Sequence, residues 1–448
     1  MREFISVRLA VFLSGLTALI LALMPFHAFL TVWVSSFTGH YLLVRLWKEA
    51  ILTLLIVGIL IILAADKELR RKFFSSYLIL LIIAYVVFLA IWGAAALAGH
   101  RVTGRAMWYG LLVDSRFLIF FLVALVVSVK TGSLYTNWKR LLFVPAVLVA
   151  LFAIIQYLFL PYDFLKHFGY GESTIFPYET INHNLNHLRV ASTLRGANPL
   201  GAYMLMPLLA VFSLLLKNRN FRYQKIALSI VFLLAIVFSF SRSAWIGCLI
   251  AVVFIFSAGR RKIHLKKSTV LILAALIIAL GALMAVMRDN ANFENIFFHT
   301  DNGSTVQNSN EGHRMAFDNA FNDLIHEPFG RGVGTAGPQS AYNIGHFMRI
   351  AENFFLQIGQ EAGWLAMAAF IAICVIVGRH LWFYRDDSFA LWLLASLIGI
   401  SFINLLSHAW SDDTLAYVWW GLAGIYLGPA ILTVKAKQSN AKKIKNQA

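Results

Sequence analysis

The sequence predicts an all-α membrane protein with about twelve transmembrane helices and one long extracytoplasmic loop that contains short helices. Hydrophobic residues make up 60% of the 448 residues, and charged residues only 13%, about half the share typical of soluble proteins. Runs of about 20 apolar residues, long enough to cross a hydrocarbon core of roughly 30 Å, recur along the whole chain. The first run, residues 9–30, is too long for the apolar part of a signal peptide, so an uncleaved first helix is expected.

The apolar runs and the short polar connections between them position the helices. The long extracytoplasmic loop, residues 288–355, is expected between the ninth and tenth helices. The predicted helices lie near residues 9–30, 46–65, 74–98, 108–128, 141–160, 198–216, 223–240, 243–258, 268–287, 356–378, 388–406 and 415–434.

Lysine and arginine are distributed unevenly between the two sets of alternating connections. Of the 38 basic residues, 25 fall in both terminal segments and every second connection, 12 fall in the other connections, and Arg116 lies inside a predicted helix. Because cytoplasmic segments carry the excess of positive charge, both termini are predicted to be cytoplasmic, with the chain in the inner or cytoplasmic membrane. The net charge of +17 is dispersed along the chain rather than gathered on one face. It therefore indicates membrane lipids, not nucleic acid, as the partner.

The predicted cytoplasmic connections are too short for a nucleotide-binding domain, and they contain no phosphate-binding lysine motif or dinucleotide motif. No cofactor is expected. Cys248 and Cys374 both lie in apolar runs, so no disulfide framework or zinc site is predicted. His183 and His187 have helical i, i+4 spacing but no evident third ligand, so no metal site is expected. Any chemistry must therefore use a substrate available on the outer face.

Two arginines of the outer face are candidate phosphate ligands, because the guanidinium group is a planar fork of donors suited to phosphate. Arg242 lies in the tight turn between the seventh and eighth helices. The alternative is a membrane anchor whose charged end reaches the interface. Arg314 lies in a predicted helix, residues 311–325, and projects within about 80° of Phe317, Phe321 and Ile325. The Arg314 side chain would face the protein or the lipid headgroups. The alternative to a substrate phosphate is that it binds a lipid phosphate or a structural carboxylate.

Glu352 lies at the outer edge of the tenth helix, among aromatic residues. A partly buried carboxylate there could accept the proton of an attacking sugar hydroxyl. The alternative is that Glu352 complements the dipole of the helix N-terminus. Asp114 and Arg116, inside the fourth helix, are either functional or a structural polar pair. The glycine-rich run at residues 329–337 is expected to be an ordinary flexible turn.

In their order along the chain, these segments resemble the O-antigen ligase and polymerase superfamily. The resemblance spans about residues 190–380. It rests on the runs Ala191–Tyr203, Ser241–Gly247, Arg314 followed by His326–Gly334, Asn353–Gln357 and Glu361–Gly363. Residues 1–190 would then form an N-terminal unit of five helices and an external loop, residues 190–380 the ligase-like core, and residues 381–448 the last two helices and a basic tail.

The resemblance implies that Arg242 and Arg314 bind the diphosphate of a polyprenyl-linked glycan donor, with Arg195 or Arg189 assisting. It also implies an acceptor-activating residue just before Asn353. Ligases of the superfamily typically have histidine there, whereas this chain has Glu352. Either Glu352 replaces that histidine as the base, or His346, six residues earlier, reaches the site.

The expected function is the metal-independent, inverting transfer of a lipid-linked glycan to a hydroxyl of a glycan or glycolipid acceptor on the extracytoplasmic face. Ligation and polymerisation both stay open. Tyr170, Tyr178 and Trp410 are candidates for stacking against sugar rings. The alternatives are a multi-pass solute transporter and a non-catalytic partner in polysaccharide assembly. A transporter would be expected to have broken helices and polar sites near the membrane midplane.

Overall fold

A computed structural model describes residues 2–181, 184–217, 220–258 and 309–433, and these residues are mostly helical. One two-stranded antiparallel sheet lies between α8 and α9 and pairs Glu179 with Arg189. In chain order the helices and strands are α1 (Arg2–Leu23), α2 (His27–Thr38), α3 (Tyr41–Arg45), α4 (Trp47–Ala65), α5 (Lys67–Ser75), α6 (Tyr77–Ala98), α7 (Gly104–Thr131), α8 (Ser133–Leu158), β1 (Glu179–Ile181), β2 (Asn184–Arg189), α9 (Ala197–Lys217), α10 (Arg222–Phe238), α11 (Arg242–Ala258), α12 (Ser309–His326), α13 (Phe354–Phe383), α14 (Ser388–Asn404) and α15 (Asp413–Leu432).

Eight helical stretches within the described ranges are long and apolar enough to cross a membrane, so the chain is a multi-pass membrane protein. They are Val7–Thr38, which joins α1 and α2, and α4, α6, α7, α8, α9, α13 and α15. Two shorter apolar helices, α11 and α14, match the predicted helices 243–258 and 388–406, and α10 matches 223–240. The predicted helix 268–287 lies outside the described residues, so the count of twelve stays a prediction.

The centre of the bundle is the close pair of α7 and α15. Small residues allow the two helices to approach closely. Within lipid there is little hydrophobic driving force for helix association, so close van der Waals packing must hold the helices together. A Cβ on Gly424 would lie 2.6 Å from the Phe121 carbonyl oxygen, and one on Gly428 would lie 2.4 Å from that of Leu125. These two glycines therefore allow the backbones of α7 and α15 to touch.

The two sets of connections gather at opposite ends of the bundle. At the end with the predicted cytoplasmic connections, Lys130 forms an ion pair with Asp66 at 2.6 Å, and the Tyr135 hydroxyl lies 3.3 Å from Asp387. At the other end, here called the cleft end, the predicted external connections surround two open clefts. Which end faces the cytoplasm stays a prediction.

Helix α13 is broken at Gly363, whose φ of +77° and ψ of −177° are not helical. The backbone of the glycine-rich run fills the break. The amides of Arg331 and Gly332 donate to the carbonyls of Gln360 and Glu361, at 2.9 and 2.8 Å, and the Trp364 amide donates to the Pro328 carbonyl at 3.0 Å. Polar backbone groups within a membrane must be satisfied by the protein itself.

The Glu361 side chain completes this arrangement from the fully buried interior. Its Oε1 accepts hydrogen bonds from the backbone amides of Gly334 and Ala336 and from the Gln339 side chain, at 3.1, 3.3 and 2.8 Å. The expectation that residues 329–337 form a flexible turn was therefore wrong. The run is bound into the bundle by its own backbone and by one carboxylate.

Asp114 and Arg116 do not pair with each other. Arg116 contacts Asp413 of α15 and donates to Glu49 of α4 at 3.0 Å, whereas Asp114 accepts from Gln357 of α13 at 3.3 Å. Two residues separated by two positions project about 200° apart on a helix. The idea of a local polar pair was therefore wrong, and both side chains join α7 to other helices.

Candidate functional site

The first cleft is an open cavity of about 510 Å³ at the cleft end of the bundle. Its polar lining comes from segments far apart in the sequence, namely β2, the starts of α9 and α11, α12, and Glu352, which precedes the capping residue of α13. Residues 405–407, which follow α14, form a further wall. The lining residues are Arg189, Asn198, Phe240, Arg242, Ser243, Ile246, His313, Arg314, Phe317, Glu352, Leu405, Leu406 and Ser407.

Arg242 is the first residue of α11 and follows the tight turn that was predicted between the seventh and eighth helices. The turn is made by Phe240, whose φ of +48° is left-handed. Such a conformation is uncommon for a residue with a bulky side chain. It reverses the chain in a few residues and presents the half-buried Arg242 to the cleft.

Arg189, at the end of β2, lies beside Arg242 in the first cleft. Its guanidinium donates to the Asn198 side chain at 2.6 Å and to the Ser239 carbonyl at 3.2 Å, and it lies 3.6 Å from Glu179. These contacts orient the group. Arg189 and Arg242 are close enough to repel each other, and an anion between two such cations relieves that repulsion.

Arg314 projects into the first cleft from α12. The helix covers the predicted residues 311–325 and ends before Pro328. It packs on α13 through Ala320 and Leu324, which are fully buried, while Phe317, Phe321 and Ile325 stay exposed. The Arg314 side chain is 84% exposed, and the Asp318 carboxylate lies 3.7 Å from it. The apolar stripe of α12 that includes Arg314 therefore faces the cleft and the outside of the helix bundle, not its core.

Glu352 has a left-handed backbone, with φ of +48°. Residues held in this region cost about 1–3 kcal/mol and cluster at functional sites. Asn353, and not Glu352, caps α13, because the Asn353 side chain accepts from the amides of Phe355 and Leu356 at 3.0 and 3.1 Å. Glu352 therefore does not cap α13, and its half-buried carboxylate lines the cleft.

His313 is a lining residue that the sequence did not single out. Its Nδ1 lies 3.7 Å from the Glu352 carboxylate. Burial raises the pKa of Glu352, and the nearby His313 partly offsets that rise. A signal was available, because His313 precedes Arg314 and so lies on the same turn of a predicted helix. Only the path of the chain between residues 326 and 352 brings it to Glu352.

Two predicted site residues lie elsewhere. His346 is exposed in the connection before α13 and does not line the first cleft, so His313 and not His346 is the histidine beside Glu352. Arg195 lines the second cleft and faces Asp412 at 3.7 Å. Of the two arginines expected to assist, only Arg189 lies with Arg242 and Arg314.

The aromatic residues suggested for sugar stacking are placed differently. Trp410 is 1% exposed and packs among Phe117, Trp419 and Trp420, and Tyr170 is 5% exposed. Their expected role was wrong, since a ring closed on both faces offers no surface to a sugar. Tyr178 packs against Tyr162 and Phe176 and lines neither described cleft.

The first cleft combines three guanidinium groups, one carboxylate with an imidazole partner, and an exposed apolar wall. Guanidinium groups bind phosphate oxygens through pairs of hydrogen bonds. A carboxylate whose pKa is raised is suited to accept a proton near neutral pH. The wall contains Ile246, Leu405 and Leu406, which are 44–49% exposed. The cleft can thus hold an amphiphile whose phosphate head lies beside a proton acceptor.

Comparison with known proteins gives one family match. The family model described as O-antigen ligase matches residues 227–371, about a third of the chain, including Arg242, His313, Arg314, Glu352 and the broken part of α13. No curated protein matches the chain. The segment 227–371 is therefore similar to the O-antigen ligase family, and this match supports the resemblance of the chain to the O-antigen ligase-like superfamily.

Proposed function

We propose that the protein transfers a glycan from a polyprenyl diphosphate to a hydroxyl of a glycan or glycolipid acceptor on the extracytoplasmic face of the membrane. The observation that carries this proposal is the convergence of Arg189, Arg242 and Arg314 on one cleft that also contains Glu352. The three arginines come from three separate segments, so their proximity is a product of the fold and not of one basic run.

The lining of the first cleft fits a lipid-linked donor. The diphosphate binds the three guanidinium groups, and the polyprenyl chain leaves along the apolar wall of Ile246, Leu405 and Leu406. The exposed apolar stripe of α12, with Phe317 and Phe321, extends this wall. A soluble nucleotide sugar would have no use for such a surface, whereas a membrane-embedded donor needs one.

The transfer itself is a single displacement. The acceptor hydroxyl oxygen attacks the anomeric carbon, and Glu352 takes the hydroxyl proton. The bond between the anomeric carbon and the phosphate oxygen breaks, and polyprenyl diphosphate leaves with the electron pair. Because the hydroxyl attacks from the face opposite the leaving group, the anomeric configuration is inverted. The arginines stabilise the charge that develops on the leaving diphosphate, an effect worth about 10²–10³ in rate for each donor of this kind. Since arginine supplies the positive charge, the step needs no metal ion.

Solute transport is the other candidate, and the break of α13 at Gly363 is the observation that favours it. Transporters use the free ends of such half-helices to bind ions or substrates. Here those ends bind the protein's own backbone, because residues 328–332 occupy the break. Because the protein's own backbone occupies the break, transfer at the cleft end is the stronger proposal.

The profile of surface glycans in a strain that lacks the gene tests this function. Loss of all long chains from their anchor is expected if the protein is a ligase, and single repeat units on the anchor are expected if it is a polymerase. Restoration by the wild-type gene and not by a Glu352→Gln gene connects the phenotype to the first cleft. An unchanged glycan profile in the deletion strain overturns the proposal.

A further inference from the structure

A second cleft of about 610 Å³ opens at the same end of the bundle as the first, within the roughly 300–1,000 Å³ typical of ligand sites. The two clefts share a wall, the connection that precedes α15, since Ser407 lines the first cleft and Ser411 the second. The second cleft is also lined by residues from α2, α3, α7 and α15, from the 173–175 loop, from Arg195 and from the turn Pro338–Tyr342.

The carboxylates of the second cleft are already engaged with cations. Asp413 contacts Arg116 and lies 3.2 Å from Lys48 and 3.4 Å from His27. Asp412 faces Arg195 at 3.7 Å. These contacts neutralise the acidic groups and bury them against the bundle, so the cleft presents little uncompensated negative charge.

Arg45 and Arg105 are different. In the part of the chain that the structure describes, no carboxylate lies within ion-pair distance of either. The Arg45 guanidinium lies over the Tyr109 ring, 5.0 Å from its centroid, and that of Arg105 lies over the Tyr342 ring at 4.5 Å. Both guanidinium groups lie over tyrosine rings, and the donors of Arg105, together with those of Arg45 that the Tyr109 hydroxyl does not accept, can face a ligand.

The tyrosines form one unit, because the rings of Tyr109 and Tyr342 meet edge to face with centroids 5.0 Å apart. Arg45 also donates to the Tyr109 hydroxyl. A ligand with both hydroxyl groups and an anionic group matches this lining of paired tyrosines, serine and threonine hydroxyls and two stacked arginines. A saccharide with a carboxylate or phosphate ester group has that chemistry, whereas a neutral saccharide leaves the two arginines unsatisfied.

The shared wall connects the clefts. His408 lies within it and feels the charge of Arg195 on the side of the second cleft and of His313 on the side of the first. Burial, together with those two positive neighbours, lowers the pKa of His408 to about 4, so its imidazole is neutral at pH 7. The shared wall therefore carries no charge at His408 at pH 7.

We propose that the second cleft is the binding site for the acceptor, and that the acceptor is an anionic saccharide held by Arg45 and Arg105. This inference rests on the transfer function proposed above and names the substrate class of its acceptor side. The anionic group anchors one end of the saccharide over Tyr109 and Tyr342. The other end passes the shared wall and presents a hydroxyl to Glu352.

The test is equilibrium binding of trigalacturonate, with maltotriose as the neutral match, to the purified full-length protein in nanodiscs of zwitterionic phosphatidylcholine. Arg105→Ala is the main variant because Arg105 is exposed and its ring contact with Tyr342 is not buried in the core. Arg101→Ala is the matched control, an exposed arginine four positions earlier that lines neither cleft. Thermal unfolding of each variant checks the fold.

We expect the wild type to bind trigalacturonate more tightly than maltotriose. Arg105→Ala should weaken trigalacturonate binding about 10- to 100-fold, the loss of one charge-assisted contact, and Arg105→Lys should recover part of it. Arg101→Ala should bind as the wild type does. Equal affinity for both trisaccharides, no binding of either, or a loss caused by Arg314→Ala and not by Arg105→Ala overturns the proposal. Competition by anionic phosphatidylglycerol in the discs, with no preference between the saccharides, would instead assign the two arginines to a lipid headgroup.

The binding assay requires no glycosyl transfer, so the two proposals can fail separately. A wild type that transfers glycan and shows no preference for trigalacturonate loses only the anionic acceptor site. A wild type that binds trigalacturonate through Arg105 and transfers nothing from a polyprenyl diphosphate loses the proposed function.

Discussion

The Nδ1 atom of His313 lies 3.7 Å from the carboxylate of Glu352, although 39 residues separate them in the chain. This contact joins α12 to the residue that precedes the cap of α13. It places an imidazole beside the Glu352 carboxylate, which lines the first cleft. The consequences for proton transfer can be measured.

Glu352→Gln should lower the rate of transfer by about 10²–10⁴, the usual contribution of a general base, and leave donor binding unchanged. Because burial raises the pKa of Glu352 in the folded protein, its contribution to stability is full below the unfolded pKa and is lost as the pH rises through the folded pKa. At neutral pH the glutamine variant should therefore be at least as stable as the wild type. Reduced stability with full turnover would make Glu352 a structural residue.

His313→Ala tests the pair through the pH profile. The positive neighbour lowers the pKa of Glu352, so removing it should raise that pKa and move the acidic limb of the rate profile to higher pH. His346→Ala is the matched control, since His346 is exposed outside the cleft, and its profile should match that of the wild type. An unchanged profile in His313→Ala, or a dead His346→Ala, would move the base away from this pair.

Transfer should survive removal of divalent cations. In the proposed mechanism, Arg189, Arg242 and Arg314 stabilise the negative charge that develops on the leaving diphosphate. Activity of the purified protein in nanodiscs should be the same with and without EDTA. Dialysis against buffer alone is the control and should have no effect. If EDTA abolishes transfer and Mg²⁺ or Mn²⁺ restores it, a metal ion has the role that we assign to the arginines.

Gly330→Ala should destabilise the protein more than Gly345→Ala. Both glycines have left-handed backbones, with φ of +72° and +88°, so each variant bears a similar conformational cost of roughly 1–2 kcal/mol. A Cβ at Gly330 would lie 2.6 Å from the Ala362 amide nitrogen, whereas a Cβ at Gly345 meets nothing within 4 Å. Thermal unfolding of the two variants measures the difference. Equal losses would mean that the contact of the glycine-rich run with the break of α13 contributes little.

The predicted orientation can be tested with single cysteines in a background without Cys248 and Cys374. Ile344→Cys lies in the connection before α13 and Ser75→Cys at the end of α5, and both positions are exposed. A membrane-impermeant maleimide added to cells with a permeable outer envelope should label only the first. Labelling of only Ser75→Cys would invert the topology.

Local patterns were enough to locate much of the first cleft. Arg242 was found because a tight turn separates two apolar runs, and Arg314 because its helix has a clear apolar stripe and ends before a proline. Glu352 was found because it precedes a long apolar helix. Each of these signals spans fewer than about fifteen residues, the range over which helix periodicity and turn chemistry act.

What the sequence did not reveal depends on contacts between distant segments. Arg189 and Arg195 look equivalent along the chain, but Arg189 ends a strand beside Arg242 while Arg195 faces Asp412. The choice between His313 and His346 depends on how residues 326–352 fold back. Glu361 and Gly363 resembled a family motif, and nothing local indicated that the helix breaks there to accept residues 328–332. Asp114 and Arg116, by contrast, are placed on different faces of their helix by helix periodicity alone.

The most direct test of the central claim is the reaction of a purified polyprenyl-diphosphate oligosaccharide with an acceptor saccharide in nanodiscs that contain the wild type, Arg242→Ala, Arg314→Ala or the control Arg101→Ala. The measurement is the amount of free polyprenyl diphosphate and of new glycosidic product. We predict that Arg101→Ala forms as much free polyprenyl diphosphate and as much glycosidic product as the wild type does, with the two products in equal amounts. We predict rates about 10²–10³ lower with each cleft variant, partly restored by lysine, which keeps the charge and loses the planar fork. Wild-type rates in both alanine variants, or product without release of polyprenyl diphosphate, would contradict the account.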